Sequence, residues 1–214
     1  MEPGARTSRR YAGKDASERT EERRVRLLDA GLQVYGTTGF AASAIETICA
    51  EARVSTRTFY ELFGRKEQLL LDVDARIVER TAARIRAALA AAPPGVADRV
   101  SAGLHAYAAG FAQDPRTARV HFFEVLAVVA DSDAHRRVTG DQLMELFLTE
   151  GASWMEQGLI PRRDLSITSG ALLGATRYAM TDWMISDGAY PVEKVIAELV
   201  RLYVLALGAS NAAG

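Results

Sequence analysis

Between Ser43 and Gly64 two apolar stripes of helical period stand back to back, each too short to be a stable helix by itself. Ile45, Ile48, Cys49 and Ala52 make one face over two turns, and Phe59, Leu62 and Phe63 make the next. The break falls at Arg53-Val54, and Ser55 is placed to cap the second helix. Ser43 and Glu46 have the S-x-x-E spacing of a capping box at the start of the first. Two such helices across a tight turn form a helix-turn-helix pattern.

The flanks supply more helix. Val25, Leu28, Leu32 and Tyr35 form an amphipathic stripe that Gly36 and Gly39 end. A longer helix from about Arg65, with Leu69, Leu70, Val73 and Ile77 inward, fades before Pro93-Pro94-Gly95, the best candidate for a domain boundary. Beyond it the pattern predicts helices over 97–112, 116–129 and 134–157, one after Asp164 to Asp187-Gly188, and a last one with Pro191 in its first turn. No segment alternates as a strand does and no repeat is present, so the fold class is all-α, with about nine helices. The expected organisation is a basic flexible arm (1–19), a helix-turn-helix domain (20–66) and a larger helical domain (67–214).

Composition narrows the functions. No run approaches the roughly 20 apolar residues of a membrane span, and no secretory signal is visible, so a cytoplasmic protein is expected. One cysteine, Cys49, excludes an internal disulfide framework and a thiolate metal cage, and its place on a buried face suggests inert packing. The net charge of −1 conceals an asymmetry, +3 over residues 1–66 and −4 over 67–214. The basic end is the one that would face phosphates.

The segment Gly39 to Leu70 resembles the DNA-binding signature of the TetR family of bacterial regulators. The resemblance rests on Gly39-Phe40, Ser43, Ile48, Val54-Ser55, Tyr60, Phe63, Lys66, Glu67 and Leu69, at the family's spacing. One position departs: the turn residue before Val54 is Arg53, where the family usually has glycine, and a left-handed backbone there strains any other residue. The resemblance implies a sequence-specific transcriptional regulator, a repressor that a small-molecule effector releases from a palindromic operator. It also implies a homodimer through the last two helices, about 166–187 and 191–208; core helices of a monomer are the other reading.

In a helix-turn-helix the early residues of the second short helix meet base edges, here Ser55, Thr56, Arg57 and Thr58. Arg57 can donate in fork geometry to a guanine. Ser43, Tyr60 and Lys66 resemble the family's phosphate contacts. Arg19 and Thr20 would meet a phosphate or the minor groove. Each has a plainer reading: Tyr60 as a rim residue, Lys66 as a helix start, Arg57 as a solvated charge. Phe40, Ile48, Phe59 and Phe63 read as core.

The larger domain scatters aromatic and polar residues over apolar helices, and the family's ligand pocket lies in this region. His105, Tyr107, His121, Phe122, Glu124, Phe147, Trp154, Tyr178 and Trp183 are the candidate lining, about half of them expected to be core, interface or surface instead. His121 with Glu124, and Asp131, Asp133 and His135, lack a second matching cluster, so neither metal nor other cofactor is expected. An enzyme is disfavoured: no phosphate-binding glycine loop, nucleophile elbow or H-E-x-x-H helix occurs. A sequence-blind DNA binder would be more basic. An activator would share all of this chemistry.

Overall fold

The computed structural model describes residues 5–129, 133–186 and 189–209; the side chains of 5–15, 127, 129 and 133–141 lie outside that description. Nine helices and no strand make up the described residues. They are α1 (Ala5–Thr37), α2 (Ile45–Ala52), α3 (Thr56–Phe63), α4 (Lys66–Ala91), α5 (Val96–Ala112), α6 (115–129), α7 (Asp133–Glu156), α8 (Ser166–Ile185) and α9 (Val192–Leu207). Helix α6 is α-helical over Pro115–Arg119 and Val125–Val129, with a π turn over Val120–Glu124 between. None is long and apolar enough to cross a membrane, among the described residues. The chain divides into two compact units, 1–73 and 74–214, and the division falls inside α4. The Pro93-Pro94-Gly95 break is the connection between α4 and α5 within the second unit.

In the first unit α1 packs on α2, and α2 on α3. Its core is Leu27, Tyr35, Ile48, Phe59, Leu69, Leu70 and Val73, all fully buried. Gly31 permits a close approach of α1 to α4, because a Cβ there would stand 3.0 Å from Val73 Cγ2 and 3.2 Å from Leu69 Cδ2. Two expectations for α1 are corrected. Its buried face runs through Leu27, Leu28, Ala30, Val34 and Tyr35, and Val25 is exposed. The segment expected as a flexible arm is helical from Ala5 onward. Residues 16–23 are exposed all round, so this extension has no apolar stripe and pattern reading cannot detect it.

The capping box at Ser43 also fails. Ala44 is the N-cap of α2, and the Ser43 hydroxyl donates instead to the Phe40 carbonyl at 2.7 Å. A serine hydroxyl serves a local turn as readily as a helix start, and here the turn wins. Ser55 does cap α3, its Oγ accepting from the Thr58 backbone N–H at 3.1 Å.

In the second unit α9 packs on α5 and α8, and α8 on α7. The stripes Val100, Leu104, Tyr107, Phe111 on α5 and Val195, Ile196, Leu199, Tyr203 on α9 are buried as their periodicity predicts. Leu202 faces outward.

Three helices end in one hydrogen-bond pattern. After α7, Gly158 N–H donates to Met155 O and Leu159 N–H to Trp154 O. After α9, Gly208 N–H donates to Leu205 O and Ala209 N–H to Val204 O. After α2, Arg53 N–H donates to Ala50 O (3.2 Å) and Val54 N–H to Cys49 O (3.0 Å). All three are Schellman caps, whose turning residue is left-handed. Gly158 and Gly208 meet that demand freely, whereas Arg53, at φ 55° and ψ 47°, is the one non-glycine residue with positive φ among those described. Replacing Arg53 by glycine is expected to raise stability by about 0.5–1 kcal/mol, because the relief of left-handed strain exceeds the entropy glycine loses. Chemical denaturation of wild type and R53G, compared by midpoint, checks this.

Candidate functional sites: a helix-turn-helix face and a partly open cavity

The helix-turn-helix is fixed from beneath by Lys66, the first residue of α4. Its ammonium donates to Phe40 O (2.8 Å) and Ser43 O (2.9 Å) and lies 4.3 Å from the centroid of the Phe40 ring. Tyr35, on α1, donates its hydroxyl to the Lys66 carbonyl at 3.1 Å. Burial, with the Glu67 charge adding to it, pushes the Tyr35 phenol well above the usual tyrosine range. Lys66 thus binds the loop between α1 and α2 to the start of α4, using two of its three N–H donors. Ser43 is buried. Phe40, expected as core, is half-buried and serves as the platform under the ammonium.

On the outer side, Ser55, Thr56 and Arg57 are exposed and Thr58 is half-buried. Ser55 Oγ and Thr58 Oγ1 stand 2.9 Å apart. Arg57 Nε donates to Glu61 Oε1 at 2.8 Å, one turn along the same face. Both groups are mostly solvated, so the pair is weak and can exchange for another partner. Tyr60 is 56 % exposed, its ring edge-on to the buried Phe59. On α1, Arg19 is exposed, and Thr20 donates back to Ala16 O at 2.9 Å. Cys49 is buried, and burial, reinforced by Glu46, raises its thiol above the usual range. That makes it a poor nucleophile.

The second unit holds a partly open cavity of about 540 Å³ between α4, α5, α6, α7, α8 and α9. Of the nine expected lining residues, Tyr107, His121, Phe147 and Trp154 line it. The other five do not, each for a visible reason. His105 is exposed and its Nδ1 pairs with Ser101 O at 2.8 Å. Phe122 is fully buried behind the wall, against Tyr107, Phe111 and His121. Glu124 pairs with Arg119 at 3.0 Å. Tyr178 is 76 % exposed. Trp183 is half-buried and donates Nε1–H to Tyr190 O at 3.0 Å.

Apolar side chains such as Ile85, Leu89, Leu143, Leu146 and Leu173 form most of the wall. Gly103, Gly170 and Gly174 also line it; a Cβ at Gly174 would meet nothing within 4 Å. The polar lining is largely paired within itself. Arg99 Nη2 donates to Glu150 Oε2 at 2.7 Å, and the Thr176 and Tyr203 hydroxyls stand 2.8 Å apart. His121 Nδ1–H donates to the buried Asp74 Oδ1 at 2.7 Å, and its ring stacks on Phe111, 5.2 Å between centroids. Burial pushes Tyr203 up to about 12 and Tyr107 higher still, so both phenols stay protonated donors at neutral pH. Periodicity finds the aromatic wall but not the Arg99–Glu150 pair, whose members lie 51 positions apart, nor Arg177, which also lines the cavity.

No group of three metal-ligating side chains converges among the described residues. His121 and Glu124, considered as a metal pair, hold separate partners instead. Asp131, Asp133 and His135 lie outside the described side chains.

A capped helix-turn-helix thus lies in one unit and a helical bundle with a cavity in the other. Residues 27–73, the part that carries the helix-turn-helix, match the family model "Bacterial regulatory proteins, tetR family". No curated protein matches it. Solved structures share the fold at low identity. The fatty acid degradation regulator FadR from Bacillus halodurans is 20 % identical with a TM-score of 0.70, over 86 % of this chain and 97 % of that one. FadR from Bacillus subtilis, solved with stearoyl-CoA, is 18 % identical with a TM-score of 0.71, over 84 % and 97 %. A tetR-family regulatory protein from Rhodococcus RHA1 is 20 % identical with a TM-score of 0.65, over 88 % and 98 %.

Because the Lys66 ammonium satisfies two carbonyls inside the unit, Lys66→Met is expected to lower stability by about 1–2 kcal/mol without any DNA present. Methionine retains the apolar stem over Phe40, so the loss reports the two hydrogen bonds. Denaturant midpoints of K66M and wild type measure it.

Proposed function

We propose that this protein is a homodimeric repressor that holds a palindromic operator through α3 and lets go when a small molecule fills the cavity of its second unit. The observation that carries the reading is the uncovered run Ser55, Thr56 and Arg57 at the start of a capped α3. In that position Arg57 exchanges Glu61 for the O6 and N7 of a guanine, and Thr56 and Thr58 offer hydroxyls and methyl groups to neighbouring bases. Tyr60, Ser43, Arg19 and Thr20 position the protein on phosphates. Lys66 contributes its remaining N–H or acts only by holding the loop. The functional division is a DNA-binding part over 20–66 and a ligand-binding and dimerisation part over 67–214, working in the cytoplasm and without catalysis or a cofactor.

The dimer is supported by what α8 and α9 leave uncovered. Ile167, Ala171, Gly174, Tyr178 and Ile185 follow one helical stripe on α8 and are all exposed, and Leu202 and Leu205 are exposed on α9. Contiguous apolar surface of this kind marks an interaction site. Two-fold pairing through these helices sets two copies of α3 against two half-sites. A ligand weakens operator binding only if it prefers a conformation that binds DNA poorly. Helix α4, which contains the boundary between the units, transmits that preference as a change in the spacing of the two recognition helices. An activator would use the same parts and differ only in where its operator lies.

The test is fluorescence anisotropy on duplexes tiling the DNA upstream of the protein's own gene, with a shuffled duplex as control and a salt series. Saturable binding to one near-palindromic segment is expected, far tighter than to the control. Arg57→Ala is expected to cost about 1–3 kcal/mol on that segment and little on the control. Equal affinity for every duplex means a sequence-blind DNA binder. The paired variant Tyr178→Glu with Leu205→Glu is expected to sediment as a monomer; a dimer that survives both changes places the interface elsewhere.

A further inference from the structure

The cavity has a chemical bias that the fold alone does not explain. Apart from the Tyr107 hydroxyl, its charged and hydroxyl groups are matched in pairs, Arg99 with Glu150, Thr176 with Tyr203 and His121 with Asp74. Arg177 is the exception. It lines the cavity from α8, half-buried, and no carboxylate among the described residues lies within ion-pair distance of it. Its one hydrogen bond goes from Nη2 to the His121 carbonyl, at 3.3 Å, in the π turn of α6. Its Cζ lies 6.0 Å from the Phe122 ring centroid.

A guanidinium has five N–H donors in a fixed fork, never loses its proton in proteins, and matches a carboxylate with two parallel bonds. Held half-buried beside apolar walls with one long hydrogen bond, it lacks the partner that such a position ordinarily demands. The buried carboxylate of Asp74 is taken by His121. The remaining lining shows the same bias toward donors. The Trp154 Nε1–H is buried with no acceptor, and Tyr107 keeps its phenolic proton. Most of the surface is hydrocarbon, and about 540 Å³ suits one small molecule.

From this we infer that the ligand of the cavity is an apolar molecule bearing one carboxylate, which pairs with Arg177. The inference rests on the proposed role of the cavity as an effector site and adds the ligand's class to it. It assigns the hydrocarbon part to the aliphatic and aromatic walls of α4, α5 and α7. The charged end lies at α8, beside the π turn that carries His121.

The experiment is displacement of the neutral fluorophore Nile red from the full-length protein. Monocarboxylates, linear from octanoate to dodecanoate and aromatic such as naphthoate, are titrated against the primary alcohols of the same skeletons. Wild type, Arg177→Gln, Arg177→Lys and the exposed control Arg162→Gln are compared, with thermal melts confirming that each is folded. In wild type at least one acid is expected to bind about tenfold or more tighter than its alcohol. R177Q removes that preference and leaves the alcohol's affinity unchanged, R177K retains part of it, and R162Q behaves as wild type. Equal affinity of acids and alcohols in wild type overturns the inference, as does a preference that survives in R177Q, or failure of the whole panel to displace the probe. The same acids are then added to the protein–operator complex. Acid preference without operator release contradicts the effector role but not the ligand class; release by molecules that show no acid preference does the reverse.

Discussion

The first unit depends on one ammonium. Lys66 ties the carbonyls of Phe40 and Ser43 to the first turn of α4, and Tyr35 closes the arrangement by donating to the Lys66 carbonyl. Charge-assisted hydrogen bonds in such a half-buried place are stronger than neutral ones, and losing them leaves carbonyls poorly satisfied. With the loop before α2 held in this way, α2 has a fixed start and the Schellman turn at Arg53 sets the direction of α3. The exposed Arg57 is therefore carried on a rigid support, while its own tie to Glu61 is weak enough to give up. Rigidity below and exchangeability above are what a surface that reads bases requires.

Helix α4 continues this logic along the chain. Within three turns it supplies the Lys66 clasp, the core residues Leu69, Leu70 and Val73, and then Asp74, which holds His121 in the cavity wall. Asp74 orients the imidazole by accepting a hydrogen bond from its Nδ1–H, so a cavity-lining side chain is tied to α4. The π turn that carries His121 is itself a local irregularity of the kind found at functional sites.

Much of this was legible in the sequence because burial obeys periodicity. The stripes of α2, α3, α4 and α5 point inward where their spacing says they should, as does that of α9 except at Leu202, and the shortness of α2 and α3 marks the helix-turn-helix. Arg53 was visible as a misfit, and the left-handed backbone is there. What periodicity does not encode was missed. The exposed N-terminal part of α1 has no stripe to read. The Ser43 hydroxyl had two local partners available, and the choice between them depends on where Lys66 lands. A cavity is a place where side chains are missing, so the glycines at 103, 170 and 174 and the distant Arg99–Glu150 pair belong to it through three-dimensional packing alone. Of the aromatic candidates, Tyr107, Phe147 and Trp154 line the cavity and Tyr178 is exposed, because an aromatic residue on a helix can serve an outer face as well as an inner one.

The central claim is that the start of α3 lies in the major groove, and a cleavage reagent tethered there tests it most directly. Thr56→Cys in a Cys49→Ala background gives one exposed thiol for an iron chelate that cuts nearby DNA. The account predicts two symmetric sets of cuts on the bound operator, one per half-site, centred on the major groove and separated by one helical turn or a multiple of it. Cuts confined to the minor groove, or scattered along the duplex, would contradict it.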